Sequence, residues 1–313
     1  MPINPDREII VLEAQTVGCT IEARLNGIPI FLCGLGAVNQ QYCPVNQYVI
    51  DWDNTLELLV NPGDYPESCE QPGSLWWPAG GAQPPPSPSL DSVLDRAPKF
   101  TWPPYNQSRS DPDDQPAKLP EMRATVRLAM YQKGETPFED KGETLMLINW
   151  KPRPGQEYPQ KVSTSRALGA MFGKWQWQQA LRLELNDELK TEGLKFLAVM
   201  AHLFETADLF TYKKLVALHA EELYRSYRLN AKERFEKLDK YLTMRRTEED
   251  WMMFTPQPEE LSWRLIANDT MLACEGRDWQ PVLRSSNSKK FGVYSYSLIL
   301  GRLQYGSPLI ILR

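Results

Sequence analysis

Apolar and polar positions alternate with a period of two through Thr55-Leu56-Glu57-Leu58, and apolar runs with strand character recur at Leu25-Asn-Gly-Ile-Pro-Ile-Phe31, Pro44-Val-Asn-Gln-Tyr-Val-Ile50 and Asp51 to Val60. Asn26-Gly27 and Asn61-Pro62-Gly63 supply the turns that strands of this length need. The first sixty residues therefore predict a small β-module that displays a surface. Strand patterning returns in Glu121 to Met130 and Thr144 to Trp150, split by a polar turn around Lys133-Gly134-Glu135, and predicts strands that rejoin the first sheet. Lys151-Pro-Arg-Pro-Gly-Gln156 then marks a break.

From about Asn186 the period changes to 3.6. Leu189, Gly193, Phe196, Leu197, Met200 and Phe204 share one helical face, and Tyr212, Leu215, Val216, His219, Leu223 and Tyr227 share another. A third helix is expected from Asn230 to about Arg245, with Lys and Glu at pairing distance. The chain closes in strand-like runs at Ser262–Ile266, Met271–Cys274, Val293–Leu300 and Leu309–Leu312. The fold class is α+β. Residues 1–160 are expected to form an antiparallel β-sandwich-like module, and residues 161–313 a domain of helices packed on a terminal antiparallel sheet.

Half of the 26 prolines fall between Pro62 and Pro116, which excludes a regular helix or central strand there and predicts a long excursion over residues 62–118. Trp76, Trp77, Trp102 and Tyr105 lie in it, with Asp64, Glu67 and Glu70 close by. Trp and Tyr are the commonest anchors of interfaces, so these seven residues are the candidate partner-binding set. The competing reading folds the rings back over the module's own core. Adjacent rings in an extended chain point to opposite sides, which makes Trp76-Trp77 the pair expected to stay accessible.

Charge sharpens this picture. Residues 1–100 carry 4 basic and 12 acidic side chains, the remainder 31 and 28. An acidic front disfavours nucleic acid and suits a basic protein partner, although a plain solvated face explains it equally well. Composition is that of a globular chain with a mean hydropathy of −0.47, and no run of eighteen apolar residues predicts a membrane span. The first residues show no export signal, which points to the cytoplasm, or to the periplasm if a signal has been removed. Cys19, Cys33, Cys43, Cys69 and Cys274 contain no Cys-x-x-Cys and predict reduced thiols. Pairing of Cys19 or Cys33 with Cys43 or Cys69 is the periplasmic alternative.

Catalytic chemistry is not legible. His202 and His219 sit in apolar helical repeats, no Gly-x-Ser-x-Gly elbow is present, and Glu248-Glu249-Asp250 reads as a solvated helix end. No catalytic residue, metal ligand or cofactor is assigned, and the chain is not expected to be an enzyme. Leu25-Asn-Gly-Ile-Pro-Ile30, Pro44-Val-Asn46, Asn54-Thr-Leu-Glu-Leu58, Gly173-x-Trp-x-Trp177 and the closing segment Gly301 to Arg313 resemble bacterial proteins found beside type VI secretion genes. The layout looks most like the immunity proteins that neutralise a secreted phospholipase effector. That resemblance implies a two-domain inhibitor that binds its cognate lipase toxin and keeps substrate from the toxin's active site. The alternative is a small-ligand binder or enzyme with a cavity in the C-terminal domain, lined by Tyr212, His219, Tyr294 and Tyr296.

Overall fold

A computed structural model describes residues 3–4, 6–33, 39–61, 122–139, 141–153, 155–169, 172–247, 251–254, 257–276, 281–287 and 292–313. Its N-terminal part is built from β1 (Glu8–Val17), β2 (Thr20–Leu25), β3 (Ile28–Cys33), β4 (Asn39–Pro44), β5 (Asp53–Asn61), β6 (Arg123–Gln132), β7 (Glu143–Trp150) and β8 (Gln160–Ala167). Two antiparallel sheets result, ordered β4-β1-β6-β7 and β3-β2-β5-β8. Alternation explains why they face each other. Leu12 opposite Leu128 and Ala14 opposite Val126 line the inner face of one sheet. Ile21 opposite Val60, Ala23 opposite Leu58 and Leu25 opposite Leu56 line the inner face of the other.

The β2–β3 hairpin turns on Asn26 and Gly27, both at positive φ, as the Asn-Gly pair predicts. The Asn26 side chain also accepts from the Thr55 amide at 2.8 Å and donates to the Tyr48 carbonyl at 2.8 Å, tying the turn to the next strand. At the opposite border β7 lies against β8. There the Trp150 indole donates to Gln160 Oε1 at 3.0 Å, and Arg166 reaches the Leu145 carbonyl. These side chains occupy edges that would otherwise offer unpaired backbone groups.

The second half begins with α1 (Asp187–Thr206), α2 (Leu209–Leu215), α3 (Ala217–Tyr227) and α4 (Ala231–Arg245). Asn186, Asp208 and Asn230 cap α1, α2 and α4 by accepting first-turn amides. Then come β9 (Leu261–Ile266), β10 (Met271–Gly276), β11 (Leu283–Arg284), β12 (Ser295–Tyr296), β13 (Ile299–Gly301) and β14 (Ile310–Ile311). The sheet β14-β13-β10-β9 lies between the two cores. Met271, Ala273, Ile299 and Leu312 join the sandwich core, while Leu272, Cys274, Leu300 and Ile311 join the core beneath the helices. The architecture is α+β, and among the described residues the α-helices lie in the C-terminal half.

The second domain was expected from residue 161, but β8 pairs with β5 in the N-terminal part, and three further elements differ from the sequence reading. Pro44 to Ile50 was expected as a strand, but Asn46–Tyr48 form a buried 3-10 turn. Asn46 explains the turn: its Oδ1 accepts from the Ile10 amide at 2.7 Å and its Nδ2 donates to the Ser226 carbonyl at 2.9 Å. The expected face from Tyr212 to Tyr227 is divided at Val216, where α2 ends and α3 begins. Val293 to Leu300 is not one strand, because Ser295–Tyr296 pair with β11 and Ile299–Gly301 pair with β10 and β14. Among the described residues no helix is long and apolar enough to cross a membrane.

A buried polar belt joins the halves. The Tyr227 hydroxyl donates to Gln47 Oε1 and accepts from the Asn46 amide at 3.2 Å. Arg313 pairs with Glu222 at 2.5 Å and donates to the Gln47 carbonyl at 2.9 Å. The Trp175 indole donates to the Val49 carbonyl at 2.6 Å, and the Arg313 guanidinium lies over its ring. The Gly-x-Trp-x-Trp segment is thus a plug at this joint, with Trp175 fully buried and Trp177 nearly so.

Candidate functional site

Among the described residues, the outer face of the sheet β4-β1-β6-β7 is covered over only part of its area. Ile9, Val11, Ala129 and Tyr131 project to that face and pack against Tyr227, Leu223 and Leu229. Farther along, the register sets Tyr42, Glu13, Arg127 and Leu147 side by side across the four strands. Residues directly opposite in neighbouring strands share a face, so this row is a consequence of pairing alone. The next row on the same face carries Gln40, Gln15, Thr125 and Asn149.

Glu13 and Arg127 form the base of a cleft of about 640 Å³. The guanidinium donates from Nε to Glu13 Oε2 at 2.7 Å and from Nη2 to Oε1 at 3.2 Å. The Tyr131 hydroxyl donates to the same carboxylate and accepts from Arg127 Nη2 at 2.6 Å. Glu13 is 3% exposed, so the pair and the phenol together satisfy a carboxylate that could not be buried alone. The hydrogen bond to Glu13 raises the pKa of Arg127. Burial first, and Glu13 next, push the Tyr131 phenol up to about 12. Arg127 stays charged and Tyr131 stays protonated through the physiological range, and both are hydrogen-bonded to the buried Glu13 carboxylate, which makes the base of the cleft a fixed array.

The wall comes from the segment between β6 and β7. Phe138, itself at φ 68, reaches across to Tyr42 and meets its ring edge-on at 6.1 Å between centroids. Glu139, Lys141 and Gly142 complete that side, and Gln15 and Thr125 close the other. The lining charges, Glu13 and Glu139 against Arg127 and Lys141, balance. Phe138 is 40% exposed and Leu147 is 45% exposed, so the cleft and the open row carry apolar contact area at their borders. Such a concave, preformed patch with fixed polar groups and apolar borders is suited to holding a segment of another molecule.

The sequence reading placed its binding set elsewhere. Asp64, Glu67, Glu70, Trp76, Trp77, Trp102 and Tyr105 all lie outside the described residues, as do Cys69 and Glu248 to Asp250. Of the four residues expected to line a C-terminal cavity, Tyr212, Tyr294 and Tyr296 do come together, but around Phe204. Their ring centroids lie 5.4, 5.3 and 5.2 Å from its own. Tyr212 also donates its hydroxyl to that of Tyr296 at 3.3 Å. This is an aromatic core. His219 sits instead beside Leu312 and Arg313, where burial and the neighbouring guanidinium push its pKa down to about 3. His202 is exposed on α1. Cys19, Cys43 and Cys274 are free thiols, and burial pushes the Cys43 thiol up to about 12, far from thiolate reactivity.

Glu13, Arg127 and Tyr131 were not singled out from the sequence. A signal was present in Glu13, a charged residue inside the run Ile9-Ile-Val-Leu-Glu-Ala14, and in Arg127 between Val126 and Leu128. Charges in the middle of apolar strands need partners, and only the register reveals which. No protein-family model, no curated protein and no solved structure matches this chain.

Proposed function

We propose that this protein is a binding inhibitor of the immunity type, which engages a cognate secreted antibacterial lipase and keeps substrate from its active site. The observation that supports this reading is the open part of the sheet β4-β1-β6-β7, where the Glu13–Arg127 pair and Phe138 form a preformed cleft beside exposed Leu147. Fixed polar groups set orientation, and apolar borders supply the buried area from which most binding energy arises. The resemblance of the turn-rich segments to lipase immunity proteins supplies the class of partner.

The test uses the full chain, tagged and expressed in its native cells. Co-purification of one lipase at equal stoichiometry is expected, with hydrolysis of phospholipid vesicles lost in the complex and regained on its dissociation. Phe138→Ser and Leu147→Glu alter exposed positions and leave the Glu13–Arg127 pair in place. Together they are expected to weaken the complex at least tenfold, since a desolvated aromatic or aliphatic anchor contributes on the order of 1–3 kcal/mol. A lipase that remains active in the complex, or unchanged affinity of the double variant, overturns the reading.

A further inference from the structure

A second cluster of charges lies where the sandwich meets the C-terminal sheet, on the sheet of the sandwich that does not carry the cleft. Glu22 and Arg24 are two residues apart on β2 and share a face. Arg264 on β9 pairs with Ala273 on β10, and Glu275 follows two residues later, so Arg264 and Glu275 also share a face. That face is the one whose Met271 and Ala273 join the sandwich core. The two faces meet through Arg264 Nη1, which donates to both Glu22 oxygens at 3.2 and 3.1 Å. Arg24 donates its Nε to the same carboxylate. At the tip of the joint the Ala267 amide donates to the Gly27 carbonyl at 3.2 Å.

Both arginines thus serve one fully buried carboxylate, Glu22. Glu275 is 6% exposed, and among the described residues its buried Oε1 has no hydrogen-bond partner. The groups acting on it are Glu22 of β2, which opposes its ionisation, and Arg264 of β9, which favours it. Cys274, the adjacent group on its own strand, belongs to the core on the opposite face and stays a neutral thiol. Ionised Glu275 would place a second carboxylate beside Glu22, in surroundings with little water to screen the repulsion.

We propose that the joint between the sandwich and the C-terminal sheet is a proton-controlled latch, closed when Glu275 is protonated beside the Glu22–Arg264 pair and loosened when Glu275 loses that proton. No other change in covalent structure is involved. The proton leaves to solvent when the joint opens, and the free carboxylate is then hydrated. The latch is independent of the proposed inhibitor role, because it concerns cohesion between the two halves and not the cleft.

Hydrogen exchange of the full chain, followed by mass spectrometry between pH 6 and pH 8 and corrected for intrinsic exchange, tests it directly. Burial first, and Glu22 after it, push the Glu275 carboxyl up to about 7. Opening of β2, β9 and β10 is therefore expected to become about tenfold more favourable over this interval. Segments of β1 and β6 serve as the internal reference and are expected to change less. Glu275→Gln is expected to abolish the pH dependence in β2, β9 and β10. Equal pH dependence in wild type and variant overturns the proposal. Should the variant fail to fold, carbon-detected titration of the wild-type glutamates decides, and a Glu275 midpoint in the ordinary carboxylate range overturns it equally.

Discussion

A β-carbon placed on Gly142 would lie 2.6 Å from Cζ of Tyr131, closer than any real contact allows. The segment that walls the cleft therefore rests directly on the ring whose hydroxyl joins Glu13 to Arg127. Glycine at this position is a requirement of close approach and not of backbone conformation.

Gly142→Ala consequently displaces either the ring or the wall. The Tyr131 ring is 2% exposed and has little room to yield. A loss of about 1–3 kcal/mol in unfolding free energy is expected, the usual range for overpacking. Urea denaturation measures it. Binding of the cognate lipase is expected to fall with it, whereas Gly155→Ala, at φ 76 and with no atom within 4 Å, is expected to add backbone strain in its own turn and leave the cleft unchanged.

Asn46→Ala tests the belt between the halves. It removes an acceptor from the Ile10 amide and a donor from the Ser226 carbonyl, leaving two buried backbone groups unmet. A cost of about 2–5 kcal/mol is expected from the two desolvated groups. Asn46→Asp preserves the acceptor but not the donor, and thermal unfolding is expected to rank it between wild type and alanine.

Glu222 and Arg313 form a pair with almost no exposure on either side chain. Burial lowers the pKa of Arg313 and Glu222 opposes that shift, so the carboxylate is what keeps the guanidinium charged in place. Glu222→Ala strands a buried cation and also removes the acceptor of the Gln176 amide, for an expected loss of about 3–5 kcal/mol. The double variant Glu222→Gln, Arg313→Met is expected to lose less than Glu222→Ala alone, as measured by a double-mutant cycle.

Two buried groups give stability an unusual pH profile. Glu275 titrates near 7 in the folded chain and from a reference of 4.5, so the folded state holds the extra proton between them. Its contribution falls as pH rises from 4.5 through 7. His219, pushed down to about 3 from 6.5, is proton-free when folded, so its contribution falls as pH drops from 6.5 towards 3. The two slopes are opposite and cancel between pH 4.5 and 6.5, which predicts a plateau there. Glu275→Gln is expected to remove the decline towards pH 7, and His219→Gln to make the acid limb shallower by about one proton. Unfolding free energies across pH 4 to 8 check both.

Much of the element order was legible because it rests on local chemistry. Strand patterning marked Glu121 to Met130 and Thr144 to Trp150, Asn26-Gly27 fixed its hairpin, and the change of period to 3.6 near Asn186 marked the start of the helices. Those signals act within a few residues and survive in the sequence alone. The turn at Asn46 was not legible, because its partners Ile10 and Ser226 are 36 and 180 residues away. The tyrosines at 212, 294 and 296 looked like a cavity lining, since periodicity gives a face but not what fills it.

The sequence by itself determined an α+β chain, with strands first and helices after them, and left the partner-binding surface to composition. Tertiary structure alone decided that Glu13 stands opposite Arg127, that Gly142 seats Tyr131 beneath the wall of the cleft, and that Arg264 crosses to Glu22. The physical reason is register. Side chains in a sheet meet neighbours across strands, so the chemistry of a β surface is set by which strands pair and with what offset.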